Sequence, residues 1–296
     1  MQPDGASPEL RQLVPGMRRL LYVAAVLVLL AGFQLFVFSQ RTATYFAWTI
    51  ANPLGAAFLG GGYWASVSIE ALAARQRIWA NARIAVPTVF VFTVLTLVAT
   101  LLHLSLFHLG SQFAINTRLV TYGWIAIYTL VPAIMVVVAF SQARAPGVDP
   151  APTGLLPGWL RLLLGCQSIL LLGFGVALFA APVSAAKVWP WTLTPLLAQA
   201  TGAWLIGLGV AAAHAVLERD ARRLRPAAVA YVIFAVLQSI ALARYPGLFD
   251  WTKTSGIIYV IVLATMLIVG AVGLLRESQE RRASSSRVPG VGRPTG

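Results

Sequence analysis

The chain has 296 residues, 58% of them hydrophobic and only 10% charged, with a mean hydropathy of +0.79. A soluble domain carries about one-quarter charged residues, so a soluble globular fold is excluded; nine Trp, eight Tyr and fourteen Phe exclude a disordered chain as well. The net charge of +13 would suit nucleic acid only if the basic residues gathered on one surface, and here they fall between apolar runs, which leaves an all-α polytopic membrane protein and no nucleic-acid partner.

In chain order, residues 1–17 are a polar N-terminal segment. Eight apolar runs follow at 18–38, 53–72, 85–106, 119–140, 160–181, 195–216, 227–245 and 256–275, each near the roughly 20 residues that span a hydrocarbon core of about 30 Å. The runs are continuous rather than alternating, so they predict helices and not barrel strands. The first is too long for a cleaved leader and is expected to stay in the membrane. A Pro/Gly-rich stretch at 143–159 reads as a linker, and 276–296, rich in Ser, Pro, Gly and Arg, reads as a disordered tail.

Basic residues favour the cytoplasmic side of a membrane. With the N-terminus inside, seventeen of the 22 Lys and Arg lie on the inner side, leaving Arg41, Arg118, Lys187, Arg244 and Lys253 outside. That distribution predicts an N-in/C-in topology with arginine-rich inner loops against anionic headgroups.

Two halves of the sequence resemble each other. Trp48-Thr49 matches Trp191-Thr192, Pro53 matches Pro195, Gly62 and Trp64 match Gly202 and Trp204, and Leu106-Phe107 matches Leu248-Phe249, all at an offset of 137–143 residues. Four helices per unit (18–142 and 160–275) make the repeats parallel, related by a pseudo-two-fold along the membrane normal. Asn52-Pro53 and Thr194-Pro195 each set a capping side chain before a proline at the first helical position. Trp48, Trp189 and Trp191, just before those starts, are expected at the outer headgroups. Ala57, Gly61 and Ala65, and likewise Ala203, Gly207 and Ala211, make small-residue stripes that put the second and sixth spans at the centre. Pro132 is expected to kink the fourth.

The signatures FAWTI…PLGAAFLGGGYWAS and WPWTLTPL…GAWL resemble those of uncharacterised bacterial multi-pass membrane proteins with a tandem four-helix repeat. Over 18–275 the resemblance implies a bacterial inner-membrane setting and no activity or functional residue.

Ionisable groups inside spans are candidate sites. Glu70, seventeen residues after Pro53 and so ~25 Å along the helix, is expected near the inner surface in an ion pair with Arg75 or Arg77; His214 lies at similar depth. Thr93, Thr96, Thr100 and His103 share one face of the third span, with His108 beyond, while the seventh carries Tyr231, Gln238 and Arg244 followed by Asp250. These groups predict either an outward-facing binding cavity between spans three and seven, with His103, Arg244, Thr96, Thr100, Gln238, His108 and Asp250 as ligand contacts, or threonines bonded back to their own helix. No ligand set suits zinc or haem: there are three histidines at discordant positions and one cysteine, Cys166, and no cofactor is expected. Membrane catalysis needs paired acid and base groups or a metal, so the expectation is non-enzymatic binding or transport of a small molecule or lipid. The alternative is a structural or assembly subunit of a larger complex, docked to a membrane partner or a second copy through its arginine-rich face.

Overall fold

The structure is a computed structural model that describes residues 9–152 and 154–285. It is all-helical, with no strand among the described residues. Eight long helices carry it: α1 Pro15–Phe36, α2 Pro53–Ala74, α3 Ala85–Leu102, α4 Ile115–Ala143, α5 Gly158–Ala180, α6 Pro195–Glu218, α7 Arg225–Arg244 and α8 Thr254–Ser285. Seven are long and apolar enough to cross a membrane. The exception is α2, equally long at 22 residues but diluted by Gly60, Gly61, Gly62, Ser66, Ser68 and Glu70. Its composition follows from its place: a helix that faces protein all round needs small residues for close approach rather than lipid-grade hydropathy.

The starts of α2 and α6 obey their capping signals. Asn52 accepts from the Leu54 and Gly55 amides, and Thr194 from the Leu197 amide, with proline at the first helical position each time. α2 and α6 are the most enclosed helices. α2 packs chiefly on α1 and α7, and α6 chiefly on α5 and α3; α3 also packs on α4, and α7 on α8. Each central helix therefore reaches across to the other half.

Backbone contacts recur between the halves at 142 or 143 residues. The Leu13 amide donates to Arg77 O and the Leu156 amide to Arg219 O; Trp79 N to Arg11 O and Ala221 N to Gly154 O; His108 N to Ala47 O and Asp250 N to Pro190 O. A Cβ on Gly60 would stand 2.4 Å from Phe36 N, and one on Gly202 3.0 Å from Phe179 N and 2.6 Å from Gly175 O, so both positions admit only glycine without a shift of the neighbouring helix. In this register Gly60, not Gly62, corresponds to Gly202.

Three expectations change. Trp48, Trp189 and Trp191 are buried at 3, 5 and 3% exposure in aromatic clusters with Phe107, Trp124, Phe249 and Tyr259, instead of facing headgroups. The linker is tied down, Val148 exchanging backbone hydrogen bonds with Glu9 and Arg11. The tail begins as helix: α8 runs on through Arg276 to Ser285, because Glu277, Gln279, Glu280, Arg281 and Arg282 are good helix formers whatever their polarity; 286–296 lie outside the described residues.

Candidate functional site

Glu70 is 1% exposed on α2, one turn from its end. Its Oε1 accepts from Ser66 Oγ at 3.0 Å, and its Oε2 is buried with no hydrogen-bond partner. The expected ion pair with Arg75 is absent: five residues along a helix turn the side chain by ~140°, and Arg75 points out exposed. The carboxyl borders instead a cavity of about 50 Å³ among α1, α2, α3 and α4, walled by Tyr63, Phe92, Trp124 and Tyr128.

The other polar atoms of that wall are engaged. Tyr63 and Tyr128 share a hydrogen bond at 2.5 Å, Trp124 Nε1 donates to Thr100 Oγ1 at 3.0 Å, and Thr93 donates back to Phe90 O. Ring contacts of 4.4 Å between Trp124 and Tyr128 and 6.3 Å between Tyr63 and Trp124 hold the aromatic faces in place. Toward the C-terminal end of α2, Leu20, Val89, Val131 and Met135 pack into a plug; toward its N-terminal end Phe46, Trp48, Phe107 and Trp124 close the top. What is left is the seam between α1 and α4, where Leu27, Val28, Ala31 and Ile127 are only partly covered. The chamber is least covered on that apolar flank.

The residues expected to share an outer cavity are not brought together. α3 packs on α6 and α7 on α2, so the two central helices part them. His103 pairs with Gln199 of α6 at 2.9 Å. His108 is 2% exposed and pins a loop, with its ring bonded to Phe46 O and to Thr49 Oγ1. Thr100 bonds back to Thr96 O, while Thr96 Oγ1 is buried and unpartnered. Gln238 donates to Phe58 O and accepts from Tyr259. Arg244 ties α7 to the end of α1 through Phe36 O, Ser39 and Tyr245. Asp250 accepts from Thr252 through amide and hydroxyl, which holds its carboxyl below the usual range. Apart from the Thr96 hydroxyl, each of these side chains has a local structural task.

A second polar centre gathers around His214, the one member that the sequence singles out. At the C-terminal end of α6, Glu218 is bonded by Arg83 from the α2–α3 loop, by Arg223 at 2.7 Å and by His214 at 3.0 Å. Arg83 also pairs with Asp149 of the linker at 2.6 Å, and Arg223 donates to Pro150 O. The hydrogen bond to Glu218 raises Arg83 above the usual guanidinium range. Arg83 stands 135 and 66 residues from its two carboxylates, so no local pattern announces those pairs, whereas His214 and Arg223 lie within five residues of Glu218. No group of three or more His, Cys, Asp or Glu could hold a metal among the described residues.

The fold and the buried carboxyl define an all-helical protein compatible with multi-pass insertion in a bilayer. No protein-family model, no curated protein and no solved structure matches the chain.

Proposed function

We propose that this membrane protein binds a small molecule or lipid, for storage or transport, in the chamber of Glu70. The observation that carries the reading is the unpartnered Glu70 Oε2, 1% exposed, on a cavity least covered on an apolar flank. A buried acceptor left unsatisfied costs about 1–3 kcal/mol, and a group kept in that condition has a reason to wait for a partner. On this reading all eight long helices cross the bilayer in an N-in/C-in topology, as two parallel four-helix repeats in the bacterial inner membrane. The recurring backbone bonds at 142–143 residues support the repeats, and the charge distribution supports the topology. The inner arginines would rest against anionic headgroups.

Native mass spectrometry of the full chain, extracted with its surrounding lipid, tests the function. The wild type should retain a non-covalent adduct that Glu70→Gln loses; an identical spectrum for both overturns it.

A further inference from the structure

We infer that the chamber is built for a lipophilic monocation, an amine or quaternary ammonium carrying apolar substituents. This rests on the Glu70 reading above and names its ligand class.

Three features converge on that chemistry. The unmet atom is an oxygen of a carboxyl group, the one side chain of the wall that can carry a negative charge beside an entering cation, with no basic side chain on the chamber wall. An ionised carboxyl removed from water is stabilised only by an opposite charge brought close. Second, the rings of Tyr63, Phe92, Trp124 and Tyr128 wall the same cavity, and aromatic faces attract cations, most strongly where water is excluded. Third, the way in is the partly covered seam of Leu27, Val28, Ala31 and Ile127, so a ligand arrives from the hydrocarbon with its apolar part still in it. A hydrophilic cation would have no route past the plug of Leu20, Val89, Val131 and Met135 or the aromatic lid. An anion finds no basic side chain on the wall, and a neutral lipid brings no charge to meet the carboxyl.

The test uses the full chain in phosphatidylcholine nanodiscs, whose headgroups carry no net charge, with radiolabelled hexyltrimethylammonium as the probe. Saturable binding is expected, with the uncharged carbon isostere 2,2-dimethyloctane competing at least tenfold more weakly. Glu70→Gln, which keeps the shape, should weaken binding at least tenfold. Absence of saturable binding, equal competition by the isostere, or wild-type affinity in Glu70→Gln each overturns the proposal. The isostere comparison needs no variant, so it decides the matter even if Glu70→Gln folds poorly. If the wild type keeps a Glu70-dependent native adduct yet ignores the ammonium probe, the ligand class falls and the binding function stands; if both measurements fail, both fall.

Discussion

The two halves each enclose a crevice, and the crevices differ in one respect. The first lies behind α1 and α4, the second behind α5 and α8, with Leu27, Val28 and Ala31 in one occupying the places of Leu170, Leu171 and Phe174 in the other. Phe92 answers to Phe234, and Tyr63 to Leu205. Where the first has Tyr128, the second has Leu263; the place of Glu70 is taken in the second half by Ala212, which faces a neighbouring apolar hollow together with Leu160 and Tyr231. Polar atoms at the second crevice are nearly all engaged: Tyr259 donates to Gln238 and Ser255 to Val188 O, leaving only the buried indole N–H of Trp189. Similar helices thus make a similar hollow, and the side chains they carry decide whether a carboxyl faces it. The backbone contacts supply the cavity; a few side chains supply the chemistry.

The largest expected effect concerns what holds the two halves in common. Glu218→Ala leaves Arg83 and Arg223 facing each other without their carboxylate, and should lower unfolding stability by about 3–5 kcal/mol, read as a large fall in melting temperature in detergent. A fall of under a few degrees would show that Asp149 and Asp220 suffice. Next come the close approaches. Gly60→Ala and Gly202→Ala should each cost about 1–3 kcal/mol, and by similar amounts if the halves are equivalent; a cost at one site alone breaks the comparison.

Glu70→Leu, which gives the first crevice the apolar character of the second, should raise stability by about 1 kcal/mol while abolishing adduct retention. Stability and binding moving in opposite directions is the signature of a group kept for function. A loss of stability would instead make Glu70 structural. The smallest effect is in the loop before α8: Asp250→Asn should leave both melting temperature and adduct retention unchanged, since the bonds of its carboxyl stay within one exposed turn and its amide keeps Pro190 O. Loss of the adduct there would return the site to the outer loops.

Local signals were legible. Asn52-Pro53 and Thr194-Pro195 announced two helix starts, and the small-residue stripes announced the central pair, because capping and close approach are written in neighbouring residues. Glu70 stood out by type, yet its partner was misread, because depth along a helix says nothing of the angle around it. The tryptophans before α2 and α6 looked interfacial, and only the return of Phe107 and Phe249 from later in the chain buries them. The grouping of His103 with Arg244 failed for the same reason: equivalent places in two halves are not adjacent places when two helices stand between. Of the Glu218 centre only His214 stood out, because Arg83 and Asp149 come to it from distant segments.

The crossed packing, α2 on α7 and α6 on α3, has a consequence for how such a molecule acquires a one-sided task. If each half were a separate chain of four helices, those two contacts would be one self-complementary interface, and the pair would close as a symmetric homodimer. Every change to one hollow would then appear in both, and an unpartnered acid would weaken the assembly twice. Joining the two halves in one chain removes that constraint: Glu70 stands opposite Ala212 in the 142-residue register, and the half without the acid serves as part of the frame that carries it.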